Sequence, residues 1–384
     1  MNYFFDETDS SLEIVAIQFP SETRGLAIGM INTKGKQKPV ALITSDGGKK
    51  WAQVLLKEAP FAIHCISDSQ CWMATEKGIW ASEESGRDWK KLKGLDGVRA
   101  IHFTSATTGY AAGSRKMAWK TIDGGKNWTR MPEAAKPEAS VENSIYSVIA
   151  SFGKDMLIAG ASNPPRRDRA LYPDWMEPER ASTRREWPSL VLMLETRDGG
   201  ANWITTSASV FGRVTGIVLG NSSALSLIEY QDAFQWPSEV LRIDYATGKN
   251  VPIYNQKQQA ITSLAYGKKG EVVLAGIEAV GSLHSNPIPS KVKILKGQVE
   301  GKEAVLWVPI PVDYRAVAHR VHLARTPSGQ LFADRYGNDS GTALAVKTFG
   351  AGSVLSTRSA LDAAYNPYKT RQIKSVKKGG FPQF

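Results

Sequence analysis

A carboxylate recurs four times in this chain at a fixed distance from a tryptophan. In each copy a serine or threonine lies two residues before the carboxylate, and the tryptophan lies five residues after it. The four pairs are Asp46 and Trp51, Glu84 and Trp89, Asp123 and Trp128, and Asp198 and Trp203. A carboxylate in such a turn can accept hydrogen bonds from backbone N–H groups, while the tryptophan buries a large apolar surface. This chemistry favours a structural role over a metal or ligand site, and we predict no metal ion and no cofactor.

Arginine and aromatic side chains are concentrated in one long segment, residues 161–189. Its basic residues are nearly balanced by acidic ones, so the segment is not a simple polyanion-binding patch. Exposed arginine and tryptophan are typical of protein-interface hot spots. We therefore predict partner-binding residues in this segment: Arg166, Arg167, Arg169, Trp175, Arg184 and Arg185. The alternative is a solvated, proline-rich segment that packs on its own domain.

The spacing of the tryptophans indicates which elements position these side chains. Trp51, Trp89, Trp128 and Trp203 lie 38, 39 and 75 residues apart, and the last interval is close to two periods. A period of this length is typical of stacked repeat units. Each turn follows a short apolar run, so each unit contains a strand, the turn, and a second strand that begins at the tryptophan.

The frame Ser/Thr-x-Asp-x-Gly-x-x-Trp resembles the bacterial neuraminidase repeat, or Asp-box, which occurs in sialidases and in many non-enzymatic β-propellers. A hairpin ahead of the turn is also repeated, with Phe or Cys on one strand six residues before Gly or Cys on the next. The three copies are Phe19 with Gly25, Cys65 with Cys71, and Phe103 with Gly109. Together these patterns are most similar to the photosystem II stability/assembly factor group of propellers, over residues 12–206.

The resemblance implies an all-β chain that folds as a single β-propeller. Strand patterning continues after residue 206 and favours seven four-stranded blades, with Asp-box hairpins in blades one to four; six or eight blades stay open. We predict a propeller over residues 1–358, with the insertion 161–189 in blade four, and a basic C-terminal tail over 359–384. Either a strand at 354–357 or one from residues 1–10 completes the last blade, so that no strand edge is left unpaired.

The order of strands in a four-stranded blade assigns its turns to two faces. Turns between strands three and four share a face with those between strands one and two, whereas loops between strands two and three lie on the other face. The Asp-boxes fall on the first face, and in the resembling sialidases the ligand face is the opposite one. Elaborated loops on a rigid scaffold usually carry binding sites. We therefore predict further partner-binding residues in these loops: Arg115, Trp236, Arg335 and Tyr336.

The two cysteines, Cys65 and Cys71, occupy the Phe and Gly positions of the hairpin pattern, on neighbouring strands. A cross-strand disulfide is geometrically plausible there and would imply an oxidising compartment; two buried free thiols are the alternative. The acidic N-terminal stretch lacks the basic and apolar regions of a secretory signal. We therefore favour an extracytoplasmic location (periplasm, lumen or secreted) if this is a mature chain, and a cytoplasmic one if Met1 is the true start.

Composition and motif searches exclude several classes of function. The 384 residues contain no apolar run long enough to span a bilayer, no phosphate-binding glycine loop and no zinc-like spacing of His and Cys. The net charge is +11, and the tail from residue 351 has six basic residues against one acidic residue. Such a tail suits contact with an anionic surface. It lacks an RNA-binding motif, so we do not expect nucleic acid as a partner.

Two classes of function remain. A sialidase-like glycoside hydrolase would need an arginine cluster, a Tyr/Glu nucleophile pair and an acid/base Asp near the propeller axis. The Arg-Ile-Pro signature of those enzymes is absent from residues 19–24, and a site of Arg115, Glu229, Arg335 and Tyr336 can be assembled only on paper. We therefore favour a non-enzymatic scaffold that binds a protein partner or multi-subunit complex, in the assembly or stabilisation of a larger complex that the resemblance implies is membrane-associated. The alternative is a sialidase-like hydrolase or a carbohydrate-binding propeller.

Overall fold

In the computed structural model most of the described residues form antiparallel β-strands, so the expected all-β class is confirmed. No helix in the described part of the chain is long and apolar enough to cross a membrane. The described residues are 3–4, 10–92, 94–163, 189–210, 212–230, 236–267, 270–278, 290–299, 305–312, 317–318, 320–333, 343–344 and 347–349.

Six blades of a β-propeller are four-stranded sheets whose strands pair in sequence order. The strand β1 (Tyr3–Phe4) precedes them. Blade one contains β2 Ser10–Gln18, β3 Gly25–Thr33, β4 Lys36–Thr44 and β5 Ala52–Leu55. Blade two contains β6 Pro60–Cys65, β7 Cys71–Thr75, β8 Gly78–Ser82 and β9 Lys90–Lys91. Blade three contains β10 Val98–Phe103, β11 Gly109–Gly113, β12 Met117–Thr121 and β13 Thr129–Arg130.

The remaining complete blades follow the same plan. Blade four contains β14 Ser144–Phe152, β15 Asp155–Ser162, β16 Ser189–Thr196 and β17 Ile204–Val210. Blade five contains β18 Arg213–Leu219, β19 Ser223–Glu229, β20 Ser238–Asp244 and β21 Asn250–Asn255. Blade six contains β22 Gln259–Tyr266, β23 Glu271–Glu278, β24 Ser290–Gln298 and β25 Val308–Pro309, and β26 Val317–Ala318 also pairs with β24. A short 3₁₀ helix, Pro132–Ala135, lies between blades three and four.

A seventh sheet lies between blades six and one. It contains β27 (Leu323–Arg325), β28 (Leu331–Ala333) and β30 (Lys347–Phe349), while β29 (Ala343–Leu344) pairs with β1 just before β30 begins. The prediction of seven four-stranded blades is therefore not confirmed: six blades have four strands, and the closing sheet has three among the described residues.

The closing sheet differs from the others because it does not follow from one continuous repeat. The pairing of β1 with β29 brings together strands from opposite ends of the sequence. β1 and β29 form a two-stranded sheet of their own, so among the described residues this pairing adds no fourth strand to the closing sheet. The other candidate for the closing strand, residues 354–357, and the basic tail over 359–384 lie outside the described residues.

The inner strands and the clusters between sheets define the ring. The first strands of consecutive blades contact one another in order, and β27 contacts both β22 and β2. Apolar side chains fill each interface between neighbouring sheets. The same kind of aromatic stack occurs at two interfaces. Phe332 lies flat on Phe19, with 3.7 Å between ring centroids, and Trp72 lies flat on Phe103, with 3.6 Å between centroids. The closing sheet therefore packs on blade one as blade two packs on blade three.

A bulge in the inner strand explains a glycine that recurs near the end of the second strand. The inner strand shifts register beside Gly29, Gly113, Gly160 and Gly276. At each position a Cβ atom would overlap a backbone carbonyl oxygen, which at Gly160 is that of Ile145. Glycine is needed at these four positions because two backbones approach closely at the bulge.

The two cysteines form a disulfide beside the turn that joins the first two strands of blade two. Cys65 and Cys71 lie directly opposite each other on β6 and β7, and their sulfur atoms are bonded. In the sister hairpins the ring of Phe19 or Phe103 covers the glycine so closely that a Cβ atom on that glycine would not fit. The disulfide therefore takes the place of a ring-on-glycine contact.

Candidate functional site

The four repeated turns lie on one face of the propeller, which we call the turn face. Each of them connects the third and fourth strands of its blade and donates a backbone hydrogen bond to the turn between strands one and two. Gly47 donates its N–H to Thr23, and Gly124 donates to Thr107; blades two and four have equivalent bonds. The opposite face, which we call the loop face, carries the loops between strands two and three and the crossovers between blades.

The carboxylates on the turn face are bonded to their own turns. Asp123 Oδ1 accepts hydrogen bonds from Thr121 Oγ1 and Asn127 N, both at 2.9 Å, and Asp123 Oδ2 accepts one from Asn127 Nδ2 at 2.8 Å. Asp46 and Asp198 make the matching threonine and backbone contacts. These bonds, that of the Asn127 backbone first, lower the pKa of Asp123 to about 2. Asp123 and Asp198 therefore bond to their own turns through both carboxylate oxygens, and Asp46 does so through Oδ1.

The tryptophans anchor three of these turns. Trp51 Nε1 donates to Gly48 O at 3.1 Å, and Trp128 Nε1 donates to Gly125 O at 3.0 Å. Trp203 meets the ring of Tyr110, in blade three, at 5.7 Å between centroids. The tryptophan side chains therefore connect these turns to the apolar interior, in addition to the hydrogen bonds within the turns.

The second copy keeps the turn and loses the carboxylate contacts. Ser82 Oγ accepts hydrogen bonds from the N–H groups of Glu84 and Gly86, as threonine does in the other copies. In the described part of the chain, Glu84 makes no side-chain hydrogen bond of the kind that Asp123 makes, and the buried Trp89 Nε1 has no partner. The longer glutamate does not reproduce the contacts of the shorter aspartate.

A lysine holds the crossover on the loop face between blades three and four. Lys116, which has a positive φ of 54°, is buried in the turn between β11 and β12. Its ammonium group donates to the carbonyl oxygens of Ala135 (3.0 Å), Pro137 and Ala139 (3.3 Å). Three carbonyl acceptors compensate the burial of the charge and fix the segment that follows the 3₁₀ helix.

Arg115, which precedes Lys116 in the same turn, is exposed on the loop face. Its side chain is 61% exposed, and its Nη2 lies 2.7 Å from Glu142 Oε1. An ion pair this exposed contributes little to stability. Arg115 therefore lies on the loop face, where the sequence predicted a partner-binding residue, and its charge can be used at an interface.

An ion pair on the loop face links blade five to the segment that leads into the closing sheet. Arg320 donates to both oxygens of Glu229, with Nη1 3.0 Å from Oε2, and Thr215 Oγ1 donates to Oε1 at 3.0 Å. Glu229 is 3% exposed. A buried carboxylate bound by a bidentate arginine is not a free general acid or base. Sequence reasoning missed this pair because its two members are 91 residues apart.

The two described carboxylates of this region, Glu229 and Glu239, do not form the free pair that a glycoside hydrolase uses. Glu239 accepts hydrogen bonds from Tyr230 Oη at 2.8 Å and from Asn255 Nδ2 at 2.9 Å, and Glu229 is held by Arg320. Among the described residues, no group of three or more His, Cys, Asp or Glu side chains could hold a metal ion. Arg115, another member of the site assembled from sequence, is bound to Glu142 instead.

The other predicted partner-binding residues are only partly within the described structure. Trp236 is partly buried and lies just before β20, in the loop between strands two and three of blade five. The remaining predicted residues lie outside the described residues: Arg166, Arg167, Arg169, Trp175, Arg184, Arg185, Arg335 and Tyr336.

A polar cluster on the inner strands joins blades one to four near the turn face. The rings of His64 and His102 lie 4.1 Å apart, and Ser151 Oγ lies 2.7 Å from His102 Nε2. Gln18 Oε1 accepts a hydrogen bond from Cys65 N at 2.7 Å. Burial lowers the pKa of His64 to about 3 and that of His102 to about 4. The sequence contained a signal for this cluster, because the repeated hairpin places Gln18, His64 and His102 at equivalent positions in blades one, two and three.

Glu58 holds the crossover between blades one and two. Its carboxylate accepts hydrogen bonds from Lys91 Nζ (2.5 Å), Thr75 Oγ1 (2.5 Å) and Trp80 Nε1 (3.0 Å). Burial alone would raise the pKa of Glu58, but the bonds from Lys91, Thr75 and Trp80 outweigh it and lower the pKa to about 2. The ionised carboxylate is therefore stabilised by the fold.

We expect the contribution of Glu58 to stability to disappear in acid. Because its pKa is lower in the folded than in the unfolded state, the carboxylate stabilises the fold above the unfolded value, and this stabilisation is lost as the pH falls toward 2. Glu58→Gln should lower the free energy of unfolding at neutral pH by about 2–3 kcal/mol, with a shrinking difference from wild type below about pH 5. Urea unfolding over a pH series measures both effects. Glu142→Gln, in an exposed ion pair, is the control, and a difference that stays constant with pH would contradict the prediction.

The chain has no match among family models or curated proteins, whereas solved structures do resemble it. YCF48 bound to D1 peptide matches over 89% of this chain and 94% of that chain, at 13% identity and a TM-score of 0.53. YCF48 from Cyanidioschyzon merolae matches over 89% and 98%, at 13% identity and a TM-score of 0.51. The β-propeller domain of the Trilobed protease from Pyrococcus furiosus matches over 93% and 100%, at 10% identity and a TM-score of 0.51. At these identities the likeness shows a shared fold, and the chain is similar in fold to YCF48 and to other β-propellers.

Proposed function

We propose that this chain is a non-enzymatic propeller scaffold that binds a protein or peptide partner on its loop face. The observation that carries the proposal is the contrast between the two faces. On the turn face, the carboxylates of Asp46, Asp123 and Asp198 accept hydrogen bonds from the backbone of their own turns. On the loop face, Arg115 is largely exposed, and the arginine-rich segment starts where β15 ends. Exposed arginine is well suited to a protein interface.

The class of partner is supported by one of the similar structures. The solved YCF48 structure holds a D1 peptide, which makes a peptide or protein segment the favoured ligand. We propose further that the four turns are Asp-boxes and that the scaffold acts in the assembly or stabilisation of a larger, membrane-associated complex. The basic tail over 359–384 would add contact with an anionic surface.

We also propose that the protein works in an extracytoplasmic compartment. The disulfide between Cys65 and Cys71 supports this, because such bonds persist in oxidising environments and are rare in reducing ones. Thiol labelling of protein taken from the cells that make it tests the location. Two freely reactive thiols would contradict it.

Co-purification with a set of surface variants tests the binding face. Replacing Arg166, Arg167 and Trp175 together by alanine should remove the partner recovered with the wild-type chain and leave the melting temperature nearly unchanged. Lys49→Glu and Lys126→Glu, both on the turn face, are the matched controls and should retain the partner. Quantitative mass spectrometry of the recovered proteins measures the loss.

Two results would overturn this assignment. If the turn-face changes release the partner and the loop-face changes do not, the partner binds the opposite face. If neither set matters but removal of residues 359–384 does, the tail is the docking element. A glycoside hydrolase would instead lose turnover of a sialoside when Glu229 is replaced, and no such turnover is expected from the wild-type chain.

A further inference from the structure

The outer strand of blade four differs from the outer strands of the other complete blades. β17 reads Ile-Thr-Thr-Ser-Ala-Ser-Val, seven residues without a charge or a proline. Natural sheets protect their edges with charged residues, prolines or short strands. The other outer strands have such protection: Lys90 and Lys91 in β9, Arg130 in β13, Pro252 in β21 and Pro309 in β25, while β5 has only four residues.

β17 is also a regular and accessible edge. It pairs with β16 through seven consecutive residues without a shift of register. Among the described residues no other strand pairs with it, so about half of its backbone N–H and C=O groups point away from the sheet. Ile204, at one end, is 66% exposed. The composition of Ile, Thr and Val favours an extended strand. An edge of this kind is a template for another strand.

We propose that the strand added to this edge is β17 of a second copy of the chain, paired antiparallel about a twofold axis at Ser207. In that register Ile204 lies opposite Val210 of the second copy, and Thr205 lies opposite Ser209 of the second copy. The end positions therefore pair apolar with apolar, Thr205 meets Ser209, and Ser207 meets its own copy, which are favourable cross-strand pairs, while Thr206 meets the small Ala208. The strand is complementary to itself.

The self-complementary register is the reason for choosing a second copy over an unrelated strand, and the absence of charge in β17 is what permits it. The chain has a net charge of +11, so two copies repel each other over most of their surfaces. A strand that pairs with itself about a twofold axis must be free of charge near its centre, because any charged residue would approach its own like-charged copy. β17 meets this condition over all seven residues. A twofold contact also closes on itself and leaves no further edge at this strand.

Engineered cysteines test the register. The only two cysteines of the chain are joined to each other, so Ser207→Cys introduces a single free thiol. Directly opposite residues have Cβ atoms about 4.5–5.5 Å apart, close to the separation that a disulfide spans. We expect the Ser207→Cys variant of the full chain to convert largely into a disulfide-linked dimer under mild oxidation. Ser209→Cys is the matched control on the same strand: position 209 lies opposite 205, so it should form little dimer.

Light scattering of the wild-type chain completes the test. We expect a mass of twice 42.0 kDa at micromolar concentrations and above, and a return to 42.0 kDa in Ser207→Lys, which places two ammonium groups opposite each other. A monomeric wild-type chain overturns the proposal and leaves an extended segment of another protein as the occupant of the edge. A dimer in which Ser207→Cys links no better than Ser209→Cys also overturns it, because the copies then meet elsewhere or in another register.

Discussion

Replacing Trp72 by alanine should lower the free energy of unfolding by about 3–5 kcal/mol, the range for large aromatic truncations in a protein core. Trp72 is only 1% exposed at the interface between blades two and three. Its ring lies flat on Phe103, and its Nε1 donates to Gly124 O at 3.0 Å. Alanine would leave a cavity between the blades and a carbonyl group of the turn without its donor. Urea unfolding followed by circular dichroism measures the change.

Two variants separate the causes of this effect. Trp72→Phe keeps a ring between the blades and loses the hydrogen bond, so it should cost about 1–2 kcal/mol. Trp128→Ala removes an equally large side chain that is only partly buried, and it should cost less than Trp72→Ala. If Trp128→Ala costs more, then the turn stabilises the propeller more than the contact between blades does.

Gly160→Ala should cost about 3 kcal/mol or more although it adds a single methyl group, because the overlap is with backbone and not with a side chain that can rotate. The new Cβ atom would overlap the carbonyl oxygen of Ile145 at the bulge of blade four. Either the bulge must move, which disturbs the pairing of β14 with β15, or the two strands must separate. The same unfolding measurement detects the loss.

Gly216→Ala is the matched control for this substitution. Gly216 also lies beside a bulge in an inner strand, but a Cβ atom there would make an ordinary contact of 3.5 Å with the side chain of Leu227. We expect a change within about 1 kcal/mol in either direction, since alanine also restricts the unfolded chain. Equal losses at Gly160 and Gly216 would show that close backbone approach is not the reason for the recurring glycine.

The features that could be predicted from sequence are those in which neighbouring residues determine one another. The repeated turn is such a case, since Thr121, Asp123 and Trp128 all bond within eight consecutive residues. The hairpin that pairs Cys65 with Cys71 is another, with a separation of six residues. Repetition then extends these local rules along the chain, and the resemblance that the repeats carry implied the propeller fold.

The features that could not be predicted depend on residues far apart in the sequence. The ion pair of Arg320 with Glu229 joins blade five to the segment before β27, across 91 residues, and no local pattern marks either member. The pairing of β1 with β29 has the same character, because it joins strands from opposite ends of the sequence. The burial of Lys116 could not be predicted from the sequence either, because its three carbonyl partners lie in a crossover that has no repeated pattern.

The contact between blade one and the closing sheet has a consequence for the order of events during synthesis. Glu22 accepts a hydrogen bond from Thr326, 304 residues later, and Phe19 is covered by Phe332. A chain emerging from the ribosome can pair the strands of each blade as they appear, but the exposed side of blade one has no neighbour until nearly the whole chain has been made. During that interval its apolar surface is open to other chains. A chain that terminates before the closing sheet therefore keeps an exposed apolar surface on both its first and its last blade.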